Sequence, residues 1–156
     1  MNIKDAKGDT AMSVMQISVF LENKPGTLKK MTSVLAANKI DMRATSLAET
    51  KDFGIARLVV DDALSAVNTL KENNFVASLT PVLAIEIPDE MGGLDKLLTV
   101  FDEANVNIEY MYAFSGGSNN DHAYMIFRVS DTKNAEAKLA ANKSLKMLTQ
   151  EDLAQI

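Results

Sequence analysis

The sequence predicts an α+β chain made of two consecutive β-α-β-β-α-β units, each an antiparallel sheet with its helices on one face. Three observations predict it. Short segments of period-2 hydrophobicity alternate with segments of helical period. The order of those segments runs through once and then starts over. The composition, 47% hydrophobic and 24% charged in 156 residues, is that of a globular chain with a core of its own. A chain of this size removes about 70% of its unfolded surface from water.

The elements follow in order. Residues 1–13 are polar and form an N-terminal extension, with Met12 or Met15 as alternative starts. Met15, Ile17, Val19 and Leu21 alternate with Gln16 and Ser18 as a half-buried strand, and Phe20 falls on the other face. Glu22-Asn23-Lys24-Pro25-Gly26 ends it with a turn signal. Leu28, Met31, Val34 and Leu35 then recur at helical spacing to about Asn38. Ile40, Met42 and Ala44 alternate as strand two, Lys51-Asp52 turns, and Ile55 to Val60 forms strand three. Asp61 or Asp62 caps a second helix with Ala63, Ala66, Val67 and Leu70 on one stripe. Phe75 to Leu79 is strand four, and Thr80-Pro81 alone separates it from the next unit.

The second unit starts at Val82. A shift of 66 residues aligns Gly26 with Gly92, Leu28 with Leu94, Lys30 with Lys96, Ile40 with Val106 and Met42 with Ile108. A shift of 69 aligns the rear half, Val60 with Val129, Asp62 with Asp131, Leu70 with Leu139 and Leu79 with Leu148. The three extra residues sit in the second hairpin, Ser115 to Asn120, where an insertion is tolerated. Two split-βαβ, ferredoxin-like modules in tandem result, 14–80 and 81–156. With no linker between them, a fixed mutual angle and a site between the modules are expected. The core should hold Ile17, Val19, Leu35, Leu58, Ile85, Phe101, Phe127 and Leu139.

Composition narrows function. The chain has no Cys and a single His, His122, which leaves no thiol chemistry and few routes to a metal site. No nucleophile, base and orienter set is found, so no catalytic residue is assigned. Sixteen basic against twenty-one acidic residues give −5, which disfavours nucleic acid and anionic membranes. Lys51 to Leu58 loosely mimics an RNA-binding strand, but Asp52, Ile55 and Leu58 stand where a glycine and two aromatics belong, so no stacking platform is expected. No segment reads as a signal peptide or a membrane span, so the expected compartment is the cytoplasm. Ser115 to Asn120 reads as a flexible loop rather than a phosphate cradle. Ile108, Tyr110, Tyr112 and Phe114 read as one strand face packed on the helices, with pocket lining kept open for Tyr110.

The turns carry a resemblance. Glu22-Asn23-Lys24-Pro25-Gly26-Thr27-Leu28, continuing through Val34-Leu35 and Asn38-Lys39-Ile40, resembles the ACT-domain signature. Gly92-Gly93-Leu94 and Ala104-Asn105-Val106-Asn107-Ile108 look like the same features in the second unit, with Met91 where the first has Pro25. Together they cover about Met15 to Leu153. ACT domains are small amino-acid-sensing modules of regulated enzymes of amino-acid metabolism. The resemblance implies a free-standing, non-catalytic regulatory protein. It would bind a free amino acid at the Gly turns and the module interface, use no cofactor or metal, and signal to a partner enzyme, while an exposed edge strand would favour a homodimer.

The residues implied in ligand contact are Asn23, Lys24, Pro25, Gly26, Thr27, Leu28, Ile40 and Met42, with Asp89, Met91, Gly92, Gly93, Leu94, Asn107, Ile108 and Tyr110. Physically, Gly26 lets a ligand approach the backbone, and the first N–H groups of the following helix seat a carboxylate. Asn23, Asp89 or a strand-two carbonyl would accept the ammonium. The same Pro-Gly can also serve purely as a strand-to-helix turn. Two rivals remain: a regulatory subunit that acts by protein contacts without a metabolite, and a small enzyme.

Overall fold

The computed structural model describes residues 13–114, 116 and 121–156. The first alternation forms β1 (Val14–Glu22), and the helical stripe behind Gly26 forms α1 (Thr27–Ala37). Then come β2 (Met42–Glu49), β3 (Phe53–Val60) and α2 (Ala63–Glu72). The Asp62 side chain caps α2 by accepting from the Ser65 amide at 3.0 Å, and the stripe Ala63, Ala66, Val67 and Leu70 is buried. The second unit supplies α3 (Gly93–Glu103), β5 (Ile108–Phe114), β6 (His122–Val129), α4 (Thr132–Ala140) and β7 (Lys146–Leu148). Asp131 caps α4 as Asp62 caps α2, through the Asn134 amide at 3.1 Å. Of the inserted loop Ser115–Asn120, only Gly116 lies within the described residues.

Strand four of the first unit and strand one of the second are one strand, β4 (Val76–Pro88). Thr80-Pro81 is therefore no separator. Proline has no N–H to give a ladder, and Pro81 sits where β4 changes partners: pairing with β1 ends at Val82 and pairing with β6 begins at Leu83. All pairings are antiparallel. The first sheet runs β2-β3-β1-β4 and the second β5-β6-β4-β7, joined through β4 into seven strands.

Each sheet buries one face under its two helices. The first of these cores centres on Ile17, Val19, Leu35 and Leu58, the second on Ile85, Phe101, Phe127 and Leu139, and all eight expected residues are at most 1% exposed. A third core lies between the opposite faces of the sheets, where Val14, Ala44 and Val59 meet Val82, Tyr124 and Ile126. The alternation of β1 implied a solvent-facing Gln16. It is instead 0% exposed, donating to the Tyr110 hydroxyl at 2.7 Å and accepting from the Tyr112 hydroxyl at 2.8 Å.

Two bulges correct the strand readings. Register shifts between Met42 and Ala44 and, 66 residues on, between Ile108 and Tyr110. An extra residue turns everything beyond it to the other face. Ile40 and Ile108 thus pack on the helix-side cores, while Ala44, Tyr112 and Phe114 join the core between sheets. Ile108, Tyr110, Tyr112 and Phe114 do not share one face.

A short C-terminal helix, α5 (Gln150–Gln155), follows β7. Thr149 and Asp152 form its capping box. It ties the second unit to the first: Gln150 donates to the Val60 carbonyl at 2.9 Å, and the Ala154 carbonyl accepts from Arg43 at 3.0 Å.

Candidate functional site at the first glycine turn

Where β1 ends, the chain must reverse within a few residues to start α1. Gly26 makes this possible at φ 88°, a left-handed conformation, and serves as the N-cap. The Lys24 amide donates to the Glu22 carbonyl at 3.0 Å and the Lys30 amide to the Gly26 carbonyl at 2.9 Å. No side chain caps α1 and no acidic residue stands in its first turn. The Thr27 amide donates to the Lys24 carbonyl at 3.4 Å, which leaves the Leu28 and Lys29 amides and the helix's partial positive charge for a ligand. A Cβ at Gly26 would meet nothing within 4 Å.

The register places the β2–β3 hairpin beside this turn, with Glu22 opposite Phe53 and Glu49 opposite Gly54. Asn23 clamps the two together: its side-chain amide donates to Glu49 Oε2 at 2.7 Å and to the Thr50 carbonyl at 3.2 Å. Between turn and hairpin lies a cleft of about 70 Å³, lined by Leu21, Glu22, Asn23, Lys24, Thr27, Leu28, Leu47, Glu49 and Gly54. Lys24 pairs with Glu22. Glu49 accepts from Asn23 through one oxygen, and with no basic side chain in ion-pair contact among the described residues it is the cleft's natural acceptor for an ammonium. Leu28, at helical spacing with the core stripe, is 43% exposed and faces the cleft instead. Gly54 opens the floor, since a Cβ there would press to 3.4 Å on the Ala48 carbonyl and Leu47. Leu47, Glu49 and Gly54 were not singled out from the sequence. The strand order that brings the end of strand two beside strand one was the signal available.

The second turn repeats the scaffold. Asp89 donates its amide to the Asp121 carbonyl at 2.8 Å, as Asn23 does to that of Asp52 at 2.9 Å. Lys96 donates to the Gly92 carbonyl at 3.0 Å, and Gly92 has φ 78°. Its chemistry differs. Gly93 replaces Thr27 in a turn so tight that a Cβ would stand 2.8 Å from the Pro88 carbonyl. Asp95 occupies the first turn of α3, and Glu90 pairs with Lys96 at 2.6 Å. A carboxylate in a first turn compensates the helix dipole and repels an incoming anion. Met91 is fully exposed, and Leu94 packs against the second core.

The remaining predicted residues lie elsewhere. Met42 opens β2 at the end opposite Glu49, roughly 20 Å along a strand rising about 3.3 Å per residue. Ile40 packs on the first core and Ile108 on the second. The Asn107 side chain donates to Ser130 at 3.0 Å. Tyr110 sits between the sheets under the Arg57 guanidinium, 3.9 Å from its ring centroid. No residue of the second unit lines the first-turn cleft. This cleft therefore does not span the module interface, which is packed by the third core and the Gln16 hydrogen bonds.

Two other features bear on chemistry. Among the described residues no group of three or more His, Asp or Glu could hold a metal ion. Contrary to the expectation of no aromatic platform, Phe20 and Phe53 stack on the first sheet with centroids 4.9 Å apart, both exposed.

Comparison with known proteins completes the picture. The family model described as an ACT domain pair matches residues 12–156. A protein of Bacteroides thetaiotaomicron of known structure is 38% identical, with a TM-score of 0.87 over 95% of this chain and 100% of that one. The ligand-free regulatory subunit of aspartate kinase from Thermus thermophilus shares the fold at 20% identity, with a TM-score of 0.61 over 81% of this chain and 89% of that one. The corresponding Thermus flavus subunit aligns with a TM-score of 0.58 at 20% identity, over 81% and 88% of the two chains. A search of curated proteins finds no match. With the duplicated fold, the paired glycine turns and a family model spanning both units, the chain belongs to the ACT-domain-pair family.

Proposed function

We propose that this chain is a non-catalytic regulatory protein that binds a free amino acid in the cleft at the Gly26 turn and reports its state to an enzyme of amino-acid metabolism. The observation that supports this reading is a helix N-terminus without a side-chain cap and a carboxylate without a cationic partner facing one cleft. The first free N–H groups of α1 favour an α-carboxylate. Glu49 suits the α-ammonium, and Leu21, Leu28 and Leu47 offer an apolar wall to the side chain. One site per chain follows, in the module 14–80. The second turn, in the module 81–156, carries Asp95 and a close-packed Gly93. The proposed listener is suggested by the Thermus regulatory subunits of aspartate kinase, which share this fold. We place the protein in the cytoplasm and pair two copies of it.

Titration with each of the twenty amino acids, read as thermal stability, tests this. A ligand that binds only the native state raises Tm by mass action. One amino acid or a related few should do so. Glu49→Gln should abolish the rise, and Glu90→Gln, at the second turn, should leave it. No rise with any amino acid overturns the reading in favour of a subunit acting through protein contacts alone, which the exposed Phe20–Phe53 pair would then serve.

A further inference from the structure

We propose that the outer face of the first sheet, centred on Phe20, is the surface through which two copies of this chain pack. The inference specifies the pairing of copies in the reading above and is independent of the amino-acid ligand. Phe20 on β1 lies directly opposite Ile55 on β3 and Val76 on β4, and Phe53 stacks on it. These four side chains are 47%, 37%, 71% and 44% exposed in that order. Ala48, opposite Ile55, extends the row to β2. The result is one uncharged apolar band across all four strands. Exposed apolar patches of this kind mark contact surfaces.

The same face is already an interface over its other half. Val14 and Gln16 precede Phe20 on its side of β1, and there the second sheet covers them. The duplication supplies the comparison. In the second module Phe114 and Tyr124 stand at the positions of Ala48 and Ile55, stacked at 5.2 Å. They share a cluster with Leu153 and Ile156, from the C-terminal helix and its end. Glu86 stands at the position of Phe20, with its side chain 7% exposed and its carboxylate 2.5 Å from Lys146. Among the described residues the first module has no such cover. Where Thr149 starts α5 in the second module, its counterpart Thr80 continues β4.

A second copy is the occupant the band fits. Sheet faces pack face to face with their strands nearly aligned, and a two-fold axis through Phe20 would set aromatic against aromatic and aliphatic against aliphatic. The band carries no charge of its own, so the repulsion between two chains of −5 acts from a distance and is screened by salt. A single-stranded nucleic acid stacking on Phe20 and Phe53 is the rival. It would lay its phosphates beside Glu22, opposite Phe53, while the Arg57 guanidinium is stacked on Tyr110.

Sedimentation of the full chain over a micromolar to submillimolar concentration series tests the proposal. The parent should dimerise, more tightly at higher salt. Phe20→Glu and Val76→Lys should each weaken dimerisation by at least about tenfold, or roughly 1.4 kcal/mol. Leu64→Lys, at an exposed apolar residue of α2, should leave it unchanged. Should Phe20→Glu fail to fold by circular dichroism, Val76→Lys decides, since that side chain is the most exposed of the four. A parent that stays monomeric overturns both the face and the pairing. A parent dimer that survives both substitutions overturns the face alone. Retention of single-stranded RNA by the parent, lost in Phe20→Glu, assigns the band to nucleic acid and overturns the proposal.

Discussion

Gly26 separates a turn from a binding site. Its φ of 88° disfavours any side chain, yet the space around its missing Cβ is open. Backbone strain and steric blocking can therefore be tested apart. Asn tolerates the left-handed region and a β-branched residue does not. Gly26→Asn should fold with a loss of no more than about 1 kcal/mol, whereas Gly26→Val should lose about 2 kcal/mol or more. Both should lose amino-acid affinity, because the added side chain stands where the ligand meets the first amides of α1. Calorimetry on the folded Gly26→Asn protein is the informative measurement. Affinity equal to the parent would make Pro25-Gly26 a turn and nothing else.

Elements show how far the sequence could be read. The alternating core residues of β1, the helix stripes and the α2 cap, Asp62 of the two aspartates offered, are local, and they stand as read. The bulges at the start of β2 and β5 left no local mark, because they are set by pairing with β3 and β6. They decide which residues leave the helix-side core for the core between sheets. Gln16 reads as a surface residue by alternation, and only the packing of one sheet on the other buries it. In the cleft, the turn residues were legible, but Leu47, Glu49 and Gly54 required the strand order. The α5 helix did leave a mark, the Thr149…Asp152 capping pair, in a segment short enough to pass for a frayed end.

The join between β1 and β5 also makes a pH prediction. Burial first, then the neighbouring Tyr110, raises the Tyr112 pKa above the ordinary 10.0, while Arg57 opposes the shift. A raised folded-state value means that the neutral phenol stabilises fully below pH 10 and loses that contribution as pH climbs above it. Stability by urea denaturation should fall above pH 10. Tyr112→Phe should flatten that fall at the cost of one hydrogen bond to Gln16, about 1–2 kcal/mol at neutral pH. An unchanged alkaline slope in Tyr112→Phe would mean that the phenol ionises as it does in the unfolded chain.

At the scale of the whole molecule, the two modules share a strand, a core and a C-terminal helix, which predicts that they unfold as one cooperative unit. The β4 ladder runs from the first sheet into the second. Gln16 of β1 holds two tyrosines of β5, and Gln150 and Ala154 of α5 bond to β3 and β2. Signals between a ligand in the first module and a partner on the second would need this continuity, because coupling requires that both sites bias a common equilibrium. The chain has its own reporter. All three tyrosines, Tyr110, Tyr112 and Tyr124, lie in the second module, and there is no Trp. Leu35 is 0% exposed in the first core, on the helix side of the first sheet, whereas the tyrosines meet that sheet on its opposite face. Leu35→Ala should cost about 2–5 kcal/mol through the cavity it leaves. If the modules unfold together, tyrosine fluorescence and backbone circular dichroism should trace coincident urea transitions, both shifted by that same amount. A tyrosine transition that keeps its midpoint while the backbone signal splits in two would show the modules to be independent, with the ladder, the Gln16 bonds and α5 too weak to join them.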